Sequence, residues 1–155
     1  MSPWNEHLFK VEEKSPKLLD EQKEKFHNKT AQRLFLCKRA RPNISPAIAY
    51  LMTRVRNPNE DDQKKLVRMM KFLKQMVNNC LTLKADGSRT LKWYVDAAFA
   101  VHPDMRSHMG AVMTMGQGAA QHICHKQGMN TQSSTEAEVI AANEAVIRET
   151  RLQDQ

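Results

Sequence analysis

The sequence predicts a chain of mixed α+β or α/β class, in which a helical N-terminal segment precedes a three-stranded antiparallel sheet with one packed helix. Three observations carry that prediction. Apolar residues recur at helical spacing between Asn28 and Val77. Beyond Cys80 the apolar period shortens to two. Positive charge is confined to the middle of the chain: residues 26–80 hold twelve Lys/Arg against three Asp/Glu, a balance of +9. Residues 1–25 (five against six) and 81–155 (seven against eight) carry −1 each.

Residues 1–25 are rich in Lys and Glu and are interrupted by Pro3 and Pro16, which reads as a polar linker. A short first helix is expected over Lys29–Lys38, ending before Arg41-Pro42, because the residue before proline is pushed out of helical geometry. A second begins with Ser45 as N-cap and Pro46 at the first helical position. Its stripe is Ile48, Leu51, Met52 and Val55. A third opens at Asn57-Pro58-Asn59-Glu60, with an apolar stripe of Leu66, Met70, Leu73 and Val77. Lys64, Arg68 and Lys71 fall opposite that stripe, so the helix presents one apolar and one basic face.

Strands are expected at Leu81–Leu83, Thr90–Ala97, Met109–Met115 and Ala120–Lys126, with turn signals at Asp86-Gly87 and Gly116-Gln117-Gly118. A helix over Thr135 to about Arg151 follows. A sheet this small leaves an unpaired edge, which favours self-association.

Several function classes drop out. No apolar run approaches the roughly 20 residues that span a bilayer. Met1–Lys10 lacks the apolar core of a secretory signal and carries Glu6 and His7. Cys37, Cys80 and Cys124 show neither zinc spacing nor a disulfide framework, which points to a reducing intracellular setting, cytoplasmic or nuclear. The basic middle segment fits either a polyanion-binding surface or a solvated helix face. The candidate phosphate contacts are Lys38, Arg39, Arg41, Lys64, Arg68 and Lys71.

Two carboxylates stand out. Asp96 follows Trp93-Tyr94-Val95 in a strand, where a buried carboxylate is costly unless paired or cation-bound; the alternative is a solvent-facing strand end. In Ser133-Ser134-Thr135-Glu136-Ala137-Glu138, Ser133 and Glu136 form a capping box. Glu138 shares a helix face with Val139, Ala142, Ala145 and Val146, which suggests either a metal shared with Asp96 or a rim residue reaching water. His122, Cys124 and His125 do not form a metal site, because alternation sends His125 to the other face of its strand.

The stretch Val95-Asp96-Ala97-Ala98-Phe99-Ala100, then Arg106-Ser107-His108-Met109-Gly110, then Ser133-Ser134-Thr135-Glu136-Ala137-Glu138, resembles the RNase H domain of copia-type retrotransposons. Upstream, Lys38-Arg39-Ala40-Arg41-Pro42-Asn43-Ile44, Asn57-Pro58 and Lys71-Phe72-Leu73-Lys74 resemble the region after the reverse transcriptase palm. The resemblance covers about residues 26–150. It implies a thumb-like or connection-like basic segment over 26–80 and an incomplete RNase H-like domain over 81–155. Such domains cleave the RNA strand of RNA–DNA hybrids with two divalent ions, usually Mg²⁺ and alternatively Mn²⁺. On that mapping Asp96 bridges the metals, and Glu138 is the helix ligand that also orients the hybrid's sugar edge. The family's third carboxylate lies on a strand beyond this helix. Asp154 is the late candidate for it here. The resemblance thus implies a catalytic set that is short of ligands, and the alternative is a non-catalytic nucleic-acid-binding remnant. In the family the polymerase aspartates precede this region. Glu60-Asp61-Asp62 instead complements a helix dipole.

Overall fold

The structure is a computed structural model that describes residues 2–153. It is an α+β chain of two compact units, Met1–Cys80 and Leu81–Gln155.

The first unit holds α1 (Asp20–Arg39), a 3-10 turn (Pro42–Ile44), α2 (Ser45–Arg54) and α3 (Glu60–Gln75). Its core joins Phe26 and Cys37 of α1, Ile48, Tyr50 and Leu51 of α2, and Leu66, Met69 and Phe72 of α3. The expected linker departs from this picture. Leu8 and Leu18 are buried in the core, Trp4 and Phe9 pack against it, and Phe9 meets the Tyr50 ring edge-to-face at 5.9 Å. Backbone bonds from Leu18 N to Pro58 O and from Glu60 N to Pro16 O stitch the lead-in to the start of α3. Four apolar side chains spaced among charges anchor it to the core.

α1 begins at Asp20, nine residues before the expected start, and its first free N–H groups are met by side-chain chemistry: Gln22 Oε1 accepts from Leu19 N at 3.1 Å. Ser45 is the first residue of α2 rather than its cap, and its hydroxyl lies 3.1 Å from Cys37 Sγ. The buried stripe of α3 is Asp62, Leu66, Met69 and Phe72, turned slightly from the expected one; Val77 lies past the helix end and is exposed.

The cap of α3 is reciprocal. Asn59 Oδ1 accepts from Asp62 N at 2.9 Å, and Asp62 Oδ2 accepts from Asn59 N at 3.1 Å. Asp62 is only 1% exposed, and its carboxylate also takes the Arg54 Nε–H at 3.0 Å and the Tyr50 hydroxyl at 3.4 Å. Burial, with Asp62 adding to it, pushes the Tyr50 phenol well above the usual tyrosine range.

The second unit holds a short ribbon and a three-stranded sheet. The ribbon pairs β1 (Lys84–Ala85) with β4 (Gly116–Gln117); Leu81–Leu83, expected as a strand, precedes it. Gly116 and Gly118 have φ of +146° and +81°, and a Cβ at Gly118 would lie 2.1 Å from Thr82 O, so the crossing requires glycine. The sheet has the order β2 (Lys92–Ala98), β3 (His108–Thr114), β5 (Gln121–Lys126), antiparallel throughout, with Asp96 opposite Gly110 and Gly110 opposite Cys124. β2 and β5 are its outer strands, each with one edge unpaired in the sheet. α4 (Ser134–Gln153) packs on one face. Ser107 ties the β2–β3 loop to the approach of α4: its Oγ accepts from Ala100 N at 3.1 Å and lies 2.9 Å from Thr131 Oγ1.

The Asp62 network generates one test. Asp62→Ala leaves the Arg54 guanidinium without its buried partner and uncaps α3, so chemical denaturation followed by helical circular dichroism should show a loss of about 3–5 kcal/mol. A loss below about 1 kcal/mol would show that the network does not hold the unit.

Candidate functional site

α4 approaches the sheet through alanine. Ala141 and Ala145 are buried against Met109, Ala111 and Ile123, with Trp93, Val95 and Ala97 packed alongside, and Ala137, four residues earlier, is also buried. The packing face expected from sequence is therefore rotated: Val139 and Val146 are 63% and 59% exposed, and Glu138 flanks the stripe instead of lying within it. Small side chains allow the helix backbone close to the strands, an advantage that outweighs the larger apolar area of valine here.

Because Trp93, Val95 and Ala97 face α4, alternation directs Asp96 to the opposite face, and it is exposed. Glu138 reaches β2 from the helix side, where its Oε1 accepts the Ala97 N–H at 3.3 Å. That N–H points away from β3, so the contact sits at the unpaired edge of β2. Asp96 and Glu138 thus flank a single peptide unit, one from each side of the sheet. Glu136 has the capping role expected of it, with a shift of one residue. Ser133 Oγ accepts from Glu136 N at 3.1 Å, while the Glu136 carboxylate accepts from Gln132 N at 2.6 Å.

A two-metal site needs more donors than this pair offers. Among the described residues no three His, Cys, Asp or Glu side chains are grouped to hold an ion, and Asp154 lies outside those residues. The donor set present does not fit two divalent metals.

On the face opposite α4 lies a cluster that the sequence motifs did not reveal. His102 Nε2 is 3.0 Å from His108 Nδ1, and His108 Nε2 is 3.2 Å from Cys124 Sγ. The two ring nitrogens of His108 serve different neighbours, so the three groups form a relay and not a chelate. His125 faces the other way, with Nε2 2.9 Å from Glu144 Oε2. Burial lowers His102 to about 4, with the Lys126 ammonium adding to the effect against Asp104. It lowers His108 to about 3, assisted by His102 and His125. The signal was present in the Arg106-Ser107-His108 step, which alternation alone could not identify as buried.

In the first unit the candidate cations divide by environment. Arg41 is 9% exposed and its Nη1 donates to Met76 O at 2.6 Å and Asn79 O at 3.2 Å. It caps the chain leaving α3, while its Nη2 is buried with no hydrogen-bond partner among the described residues. Arg39 and Lys38 are exposed, and the Arg39 guanidinium lies 5.7 Å from the centre of the Phe35 ring. Lys64, Arg68 and Lys71 share a shallow groove of about 330 Å³ with Gln63 and Val67 on the outer face of α3. None of the three pairs with an acidic side chain among the described residues, whereas neighbouring Lys65 is bound to Asp61 at 3.0 Å.

Among known proteins, the chain is 29% identical over 118 residues to a protein assigned to transposon Ty5-1 in Saccharomyces cerevisiae. That match takes in 75% of this chain and spans 38% of the yeast protein's length. No family model and no solved structure matches the chain. No helix among the described residues is long and apolar enough to cross a membrane.

The histidine relay has a pH consequence. Both groups titrate lower in the fold than in the unfolded chain, so between their folded values and about 6.5 the unfolded chain holds more protons. Their contribution is complete above about pH 6.5 and falls as pH drops toward about 4 and 3. Thermal unfolding across pH 4–7 should show this decline, flattened in the His102→Gln, His108→Gln double variant. An unchanged profile would remove the relay from the acid response.

Proposed function

We propose that this transposon-related chain is a fragment of a copia-type reverse transcriptase and RNase H polyprotein that binds nucleic-acid backbone through α3. The yeast relative supports the transposon association. The observation that carries the binding role is the convergence of Lys64, Arg68 and Lys71 on one groove, where none of them forms an ion pair with a carboxylate among the described residues. Cations at four- and three-residue spacing lie along one helix face, where they meet successive phosphates and release condensed counterions. Exposed Lys38 and Arg39 on α1 extend the basic surface. Arg41, committed to carbonyls, does not contribute.

A second reading, RNase H-type hydrolysis of RNA–DNA hybrids, is favoured by one contact, Glu138 at the Asp96–Ala97 peptide on the β2 edge. The strand–strand–strand–helix order of the second unit agrees with that family's architecture. With two carboxylates and no third donor grouped with them among the described residues, the binding reading takes precedence.

One titration series tests both. The Lys64→Ala, Arg68→Ala, Lys71→Ala variant should weaken duplex DNA binding at every sequence and lower the slope of log K against log salt by about 3. An unchanged slope would overturn the binding role. With an RNA–DNA hybrid in Mg²⁺ or Mn²⁺, the expected result is binding without cleavage. Cleavage abolished by Asp96→Asn, with binding kept, would establish the second reading in its place.

A further inference from the structure

We infer that the first unit carries a base-binding cavity beside the α3 groove and therefore takes nucleic acid with at least one unpaired nucleotide. The inference rests on the binding role proposed above and specifies its substrate class.

The cavity encloses about 450 Å³ where the lead-in residues meet α2 and α3. That is within the roughly 300–1,000 Å³ of small-ligand sites. Its lining combines an aromatic ring, an apolar floor and cations. Trp4 is half-buried, packs against the core and lines both this cavity and a second one. Ala47 and Leu51 of α2 supply the apolar part. Lys64 and Arg68 line both this cavity and the basic groove with Lys71, which makes the two spaces neighbours across shared side chains.

The state of the polar groups indicates the ligand. Arg68 Nε is buried with no hydrogen-bond partner among the described residues, a donor whose desolvation is uncompensated. The Arg68 guanidinium has no ion-pair partner among the described residues, and an anion in the cavity is the chemistry that answers its charge. Asp61 and Lys65 are already joined at 3.0 Å, and Lys65 also donates to Lys10 O and the Tyr50 hydroxyl. Glu12, which has no ion pair among the described residues, remains as an acceptor for a sugar hydroxyl or an exocyclic amine.

An aromatic side chain, a guanidinium and a carboxylate acceptor are parts a nucleotide can use. Stacking on a ring tolerates any base. A base held within a duplex cannot enter without being flipped out, so the cavity discriminates by strandedness. A backbone tracking Lys71, Arg68 and Lys64 along the groove would place one unpaired base beside Trp4.

The chain has two tryptophans, Trp4 and Trp93, so Trp93→Phe isolates the Trp4 signal. Titration of that protein with an oligo(U) decamer should quench its fluorescence, while a blunt ten-base-pair duplex should bind with little quenching. Trp4→Ala should weaken oligo(U) binding about tenfold and leave duplex binding within about twofold. Absence of quenching by the decamer overturns the cavity, and it is read without any change at Trp4. If quenching is absent while the triple α3 variant still weakens both probes, only the cavity fails. If that variant changes neither affinity, the groove fails as well.

Discussion

The first unit turns on a carboxylate withdrawn from water. Asp62 is nearly inaccessible, and its carboxylate accepts from three donors: the Asn59 N–H closes the cap, the Arg54 Nε–H balances the charge, and the Tyr50 hydroxyl adds a third bond. Such a group is tolerated only when these partners hold fixed positions. The consequence is rotational. Once Asp62 points inward, Leu66, Met69 and Phe72 follow it into the core, and Lys64, Arg68 and Lys71 are left on the outer face of α3. The basic groove thus follows from a buried acid, and the lead-in is held by the same helix start, through Pro16 and Pro58.

In the second unit the governing constraint is the two-residue alternation of β2. Odd positions face α4 and even positions face away, so Asp96 and Glu138 reach a common peptide from two sides. The same alternation gathers His108 and Cys124 on the face that Asp96 occupies, and sends His125 to Glu144 of α4. One strand register therefore decides which acids and imidazoles meet. It yields an edge contact and a buried relay, and neither one is a cluster of metal donors.

Much of this architecture was legible in the sequence, for physical reasons that also explain the rest. The period change after Cys80 marked the passage to sheet, and β2, β3 and β5 begin and end within about two residues of their expected bounds. The start of α3 was readable to within two residues: Asn57-Pro58 suggested a cap and first helical position, the acids of Glu-Asp-Asp marked the first turn, and the cap itself is Asn59. The early start of α1 was hidden, since Leu19 offers no capping oxygen and Gln22 acts from three residues on. The α4 stripe was misplaced because hydrophobicity ranks valine above alanine, while the sheet selected the residue that allows the closest approach. Arg41 looked like a phosphate contact from its basic neighbours; only the fold shows the carbonyls of Met76 and Asn79 beside it.

Hydrogen–deuterium exchange of the full chain, with and without a saturating RNA–DNA hybrid bearing a single-stranded overhang, tests the central claim most directly. Protection should concentrate on residues 63–74 of α3 and on the lead-in beside it, with residues 92–98 and 134–141 unchanged. Protection confined to those strand and helix segments, with α3 exchanging as in the unbound chain, would contradict the account.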